Sequence, residues 1–84
     1  MFEKIKLLVV DDEPDVGNLL KHYLSAREYD VFVAYSGEQA LGMLEKQKVD
    51  LVLLDLLLHG MSGGEGAKII REKYPNTKIV VVTA

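Results

Sequence analysis

The sequence predicts a three-layer α/β fold built on a parallel sheet, and three observations carry that expectation. Four short apolar runs of strand length punctuate the 84 residues. Three stretches with helical periodicity lie between them. The connections run to about 15–23 residues, too long for hairpins and right for helical crossovers between parallel strands. The order is therefore β-α-β-α-β-α-β.

The apolar runs are Ile5-Lys6-Leu7-Leu8-Val9-Val10, Val31-Phe32-Val33-Ala34-Tyr35, Leu51-Val52-Leu53-Leu54 and Lys78-Ile79-Val80-Val81-Val82. Most are rich in β-branched residues, which suit a pleated surface. The first, third and fourth are apolar on both faces, as expected of strands covered on both sides. The second fits an edge position.

In the first helical stretch Val16, Leu19, Leu20, Tyr23 and Leu24 recur at i, i+3, i+4, i+7 and i+8, which makes one apolar stripe. Pro14 sits near its start, where a missing N–H costs nothing. The second helix is predicted to begin at Ser36, with Gln39 three residues on in a capping-box pattern, and to bury Ala40, Leu41 and Leu44. The third is predicted from about Gly64 to Tyr74, with Ala67, Ile70 and Tyr74 on one side and Pro75-Asn76 as its stop. Gly64 and Gly66 weaken its first turn.

Composition narrows the function classes. One small domain spanning 1–84 is all this length accommodates. Hydrophobic residues at 49% and charged residues at 27% are those of a water-soluble globular chain. With no cysteine, disulfides and thiolate metal sites are excluded. The N-terminal residues lack a long apolar core, and no apolar run approaches the roughly 20 residues of a membrane span, so a cytoplasmic protein without membrane attachment is expected. Net charge is −3 with the ten Lys and Arg scattered, which argues against direct nucleic-acid binding.

Chemistry concentrates at the strand ends. In an open α/β sheet the ligand crevice lies beyond the C-terminal ends of the strands. There the first strand runs into Asp11-Asp12-Glu13, the third into Asp55, and the fourth into Thr83. If the first and third strands are neighbours, Asp11, Asp12 and Asp55 converge. Each pair of carboxylates about 4 Å apart, at an effective dielectric near 20, costs roughly 4 kcal/mol. Proton uptake or a bound cation relieves that cost. An all-oxygen donor set without cysteine or paired histidine suits Mg²⁺ rather than zinc. Asp55 is then placed to act as a nucleophile toward a phosphoryl group, with Thr83 offering a hydroxyl to it. An acidic loop after a strand is more commonly a solvated helix cap, so the expectation rests on the conjunction of three strand ends.

These motifs carry a family resemblance. Leu7-Leu8-Val9-Val10-Asp11-Asp12-Glu13-Pro14, Asp50-Leu51-Val52-Leu53-Leu54-Asp55 with Gly60-Met61-Ser62-Gly63 following, and Ile79-Val80-Val81-Val82-Thr83-Ala84 together resemble the receiver domains of two-component response regulators. The resemblance implies a flavodoxin-like sheet in the order 2-1-3-4. It implies Asp55 as the phosphoacceptor and Mg²⁺ as cofactor. Asp12 would be the direct acidic ligand, Asp11 would help largely through water, and the Leu57 backbone carbonyl would complete the protein ligands. Thr83 would shift toward the phosphoryl group, with the small Ala84 beside it. A sensor histidine kinase or phosphotransfer protein is the implied partner. Such a domain accepts a phosphoryl group rather than acting as an enzyme, apart from limited autophosphatase activity.

Departures from the pattern are informative. His59 stands where the family commonly has Pro, and is read as a solvent-facing loop residue; His22 is read as surface, and Glu65 as a favourable charge at a helix start. Relative to the family's five strands and five helices, the chain reads as truncated after its fourth strand. The fifth strand, the last two helices and an active-site Lys are missing, and Lys78 lies at the wrong end of its strand, about 20 Å from the site. An uncovered fourth strand and an unpartnered first helix then follow, and with them self-association through that edge.

Three functions compete on this basis. The first is a phosphoacceptor module. The second is a truncated, signalling-incompetent fragment acting as a structural or self-associating unit. The third, a nucleotide-binding α/β enzyme, fares worst, because Asp-Asp-Glu replaces a glycine-rich phosphate cradle after the first strand.

Overall fold

The computed structural model describes residues 4–55 and 63–82. They form strands β1 (Ile5–Val10), β2 (Tyr29–Ala34), β3 (Leu51–Asp55) and β4 (Lys78–Val82), and helices α1 (Pro14–Ser25), α2 (Gly37–Lys46) and α3 (Gly63–Lys73). All strand pairs are parallel and the sheet order is β2-β1-β3-β4. The expected order is thus observed, and β2 takes the edge position.

Side chains alternate between the two faces of the sheet. Leu8, Val10, Ala34, Val52 and Leu54 point toward α2 and α3, where they are buried with Ala40, Leu44, Ala67 and Ile70. Tyr74 and Ile79 pack against the same cluster. Leu7, Val9 and Val31 point the other way and are buried beneath Leu20 and Leu24 of α1. Burial of these aliphatic side chains, worth about 1.5–3 kcal/mol each when complete, is what holds the layers together.

Local signals explain most element boundaries. Pro14 occupies the first turn of α1, and Glu13 is its N-cap without a side-chain bond. Ser36 caps α2 by accepting a hydrogen bond from the Gln39 N–H at 3.0 Å. The reciprocal half of the capping box is displaced by one residue, since Gln39 Oε1 accepts from the N–H of Tyr35 at 2.8 Å. Glu28 adopts φ 70 in the turn that leads into β2, a left-handed conformation that a non-glycine residue holds at some cost. Helix α3 is one residue out of step with expectation at each end, beginning at Gly63, with Tyr74 still donating its N–H to the Ile70 carbonyl at 2.7 Å.

At the N-terminal ends of the strands, Asp50 ties three of them together. Its Oδ2 accepts from the Lys6 N–H at 2.9 Å. Its own N–H donates to the Lys6 carbonyl at 2.8 Å, and its carbonyl accepts from the Lys78 N–H at 3.0 Å. The Thr77 hydroxyl donates to the Val49 carbonyl at 2.8 Å beside it.

Coverage on the α1 side is incomplete. The apolar stripe of α1 divides: Leu20 and Leu24 are half-buried, whereas Val16, Leu19 (68% exposed) and Tyr23 face outward. In β4, Val80, Val81 and Val82 are exposed, and only Ile79 packs on the core. The expectation of two covered faces therefore holds for β1 and fails for β4. No helix among the described residues is long and apolar enough to cross a membrane.

Candidate functional site

The acidic turn is set by backbone bonds at the C-terminal edge of the sheet. Strand β1 pairs with β2 as far as Val10 and Ala34, and the Asp11 N–H extends that pairing by donating to the Ala34 carbonyl at 3.1 Å. Asp11 Oδ1 accepts from the Glu13 N–H at 2.9 Å, which closes a turn across two residues. The Glu13 carbonyl then accepts from the N–H groups of Val16 and Gly17, each at 3.1 Å, and α1 begins. Turn and helix are thereby one connected unit.

Asp55 is the last residue of β3, whose neighbour β1 pairs Val10 with Leu54. One step further along both strands, Asp11 and Asp55 come level. Asp11, Asp12 and Asp55 are all half-buried, and each offers a carboxylate oxygen such that the three atoms lie within 4.8 Å of one another. At that separation each charged pair is unfavourable by about 3 kcal/mol at an effective dielectric near 20. The positive end of α1, which starts directly after the turn, offsets part of this. A hard divalent cation with oxygen ligands fits the donor set: three carboxylates, no sulfur, and a span small enough for one ion.

The expected convergence of Asp11, Asp12 and Asp55 on one rim of the sheet is therefore observed. Leu57, His59, Thr83 and Ala84 lie outside the described residues. On the far side of β3, Asp55 is the register partner of Val82. His22 is exposed on α1, and Glu65 is exposed in the first turn of α3. Lys78 pairs with Leu51, at the end of the sheet opposite Asp55.

Sequence reasoning overlooked a group beside the acidic turn. The Tyr35 hydroxyl donates to Asn18 Oδ1 of α1 at 3.3 Å, while its N–H is held by Gln39 of α2. A strand-exit Tyr before a capping sequence is the only local signal, and a strand-to-helix contact cannot be read from spacing. A second feature, a cleft of about 460 Å³, lies between the C-terminal ends of α2 and α3. It opens at the opposite end of the sheet, its rim charges Glu45 and Lys73 are exposed and 3.6 Å apart, and it brings no carboxylates together. The acidic turn, not this cleft, is the chemically organised site.

Comparison with known proteins agrees with the fold. Residues 7–84 match the family model described as the response regulator receiver domain. Among solved structures, the response regulator TrrA of Thermotoga maritima, in complex with Mg(2+)-BeF, is 42% identical with a TM-score of 0.90 over 95% of this chain and 70% of its own. A response regulator receiver protein of Pseudomonas putida is 30% identical with a TM-score of 0.92, covering 99% of this chain and 70% of that one. A CheY-like receiver domain protein of Methanospirillum hungatei is 28% identical, with a TM-score of 0.92 over 95% of this chain and 64% of its own. The chain thus spans 64% to 70% of the length of these structures.

Proposed function

The chain belongs to the response regulator receiver family of two-component signalling, and from that premise we propose that Asp55 is its phosphoacceptor. The observation that carries this is the clustering of Asp55 with Asp11 and Asp12 within 4.8 Å at the C-terminal edge of the sheet. The Asp55 carboxylate attacks phosphorus of the donor. A P–O bond to Asp55 forms, the donor's bond to phosphorus breaks, and the leaving group departs with its electron pair, giving an acyl phosphate. Asp12 and Asp11 with Asp55 would hold Mg²⁺, and the Leu57 carbonyl is assigned as a further ligand. When bound, the ion would neutralise charge on the phosphoryl oxygens. Thr83 is assigned the hydroxyl that donates to the attached phosphoryl group.

A sensor histidine kinase or phosphotransfer protein supplies the phosphoryl group, in the cytoplasm, and the domain is an acceptor rather than an enzyme with turnover. Support comes from the match over residues 7–84 and from the Mg(2+)-BeF carried by the TrrA relative. A purely structural role for the chain is less favoured, because the receiver-family match and the Mg(2+)-BeF complex of the TrrA relative both point to a phosphoryl-accepting module. Self-association through β4 is a separate proposal, supported by the exposure of Val80, Val81 and Val82.

The test is Mg²⁺-dependent incorporation of phosphate from a small-molecule acyl phosphate, read by intact-protein mass spectrometry. One phosphoryl group is expected on the wild type and none on Asp55→Asn. Equal labelling of the two would refute the assignment of Asp55.

A further inference from the structure

We propose that Tyr35 is a positioning residue for the acidic turn, acting through Asn18 and Gly17 of α1 to set where Asp11 and Asp12 stand relative to Asp55. The inference rests on the metal-binding reading above and deepens it.

Helix α1 has a weak seat on the sheet. Its outward stripe of Val16, Leu19 and Tyr23 is uncovered, and Gly17 is its buried residue. Besides Leu7 and Val9 of β1, the seat has three successive rungs along β2 and its exit, Val31 and Val33 within the strand and Tyr35 just past its end, since alternate residues share a face. Val31 packs in the cluster with Leu20 and Leu24. Val33 lies against Gly17, and Tyr35 reaches both Gly17, with its Cε1 3.8 Å from where a Cβ would stand, and Asn18. The Tyr35 rung is the one nearest the acidic turn.

That rung is connected at every side. The Tyr35 N–H is fixed by Gln39, its hydroxyl donates to Asn18, and the preceding carbonyl, of Ala34, accepts from the Asp11 N–H. The first bonds of α1 run from Val16 and Gly17 back to Glu13, and Glu13 in turn is bonded to Asp11. A shift of the first turn of α1 away from β2 therefore pulls on Glu13 and, through it, on the Asp11 carboxylate, while the Asp11 backbone stays tied to Ala34. Asp55, on β3, belongs to a different part of the sheet and does not move in step. Tyr35 is 38% exposed, so burial alone gives a weak reason for an aromatic ring there.

Mg²⁺ affinity measured by titration calorimetry on the full chain separates positioning from simple stabilisation. Tyr35→Phe and Asn18→Ala are each expected to raise the Mg²⁺ Kd by about threefold, the double variant by no more than either alone, and Tyr35→Ala by about tenfold. A merely structural role lowers the melting temperature without metal while leaving Kd unchanged. An unchanged Kd in Tyr35→Phe and folded Tyr35→Ala overturns the proposal, as does a double variant whose effect is the product of the singles. A wild type that takes up no Mg²⁺ overturns the metal-binding reading itself, and with it this inference.

Discussion

Gly17 and Val33 meet so closely that a Cβ on Gly17 would stand 2.8 Å from Val33 Cγ1. Real Cβ contacts are not that short, and Val33 is a stiff, β-branched neighbour. The glycine is therefore a packing requirement of the α1–β2 contact, although glycine lowers helix propensity by about 1 kcal/mol relative to alanine.

The first prediction follows from these two opposing effects. Gly17→Ala gains helix propensity but forces α1 outward, and overpacking of this kind costs about 1–3 kcal/mol. The expected net result in chemical denaturation is destabilisation of about 1 kcal/mol. In a Val33→Ala background the clash is gone, and the same substitution should become neutral or stabilising. A double-mutant cycle measures the difference, and additivity would sink the explanation.

Charge at the acidic turn gives a second prediction with opposite signs in two conditions. Asp11→Asn removes one of three clustered charges while keeping an oxygen to accept from the Glu13 N–H. Without divalent ions the variant should be more stable, by about 0.5–1 kcal/mol, because repulsion falls. For a domain of this size that is a rise in Tm of about 2–8 °C. Saturating Mg²⁺ should then raise its Tm less than it raises that of the wild type, since one donor charge is gone. Differential scanning calorimetry with and without the ion checks both signs.

A third prediction concerns the other end of the sheet. Asp50→Ala deletes the acceptor for the Lys6 N–H and should cost about 1 kcal/mol, whereas Asp50→Asn retains an acceptor oxygen and should cost less. Phosphorylation of Asp55 should be unaltered in both, because Asp50 lies at the far end of β3. Hydrogen exchange at Lys6 is the direct measurement, and protection lost in Asp50→Ala but kept in Asp50→Asn is the expected pattern.

How much was legible in the sequence divides along physical lines. Strand and helix identities were legible because strand-length apolar runs and a 3.6-residue period mark packing elements, and Pro14, Ser36 and Pro75 punctuate them, although the exposure of Val16, Leu19 and Tyr23 shows that the α1 stripe overstated its burial. The acidic cluster was legible because parallel crossovers send every strand's C-terminal end to one edge, which makes Asp11, Asp12 and Asp55 neighbours once β1 and β3 adjoin. The sheet order came from resemblance to a family, since periodicity says nothing about which strands pair. Contacts between layers were not legible: the Tyr35–Asn18 bond and the Gly17–Val33 approach depend on how α1 lies over β2. The three-strand role of Asp50 was hidden for the same reason, as Lys6 and Lys78 are distant from it in the chain.

The last prediction tests the exposed edge. Val80 pairs in register with Leu53 and, by alternation with Ile79, faces the side of the sheet that α1 leaves uncovered; it is 45% exposed. Among the described residues β4 is an outermost strand, and its edge is a run of β-branched apolar residues, a combination that recruits another strand. Sedimentation at tens of micromolar should therefore give an average mass above the 9.4 kDa of one chain. Val80→Lys places a charge on that face, where pairing would have to desolvate it, and should return the protein toward the monomer without disturbing Asp11, Asp12 or Asp55. A wild type that sediments as a single 9.4 kDa species across that range would remove the case for association through β4.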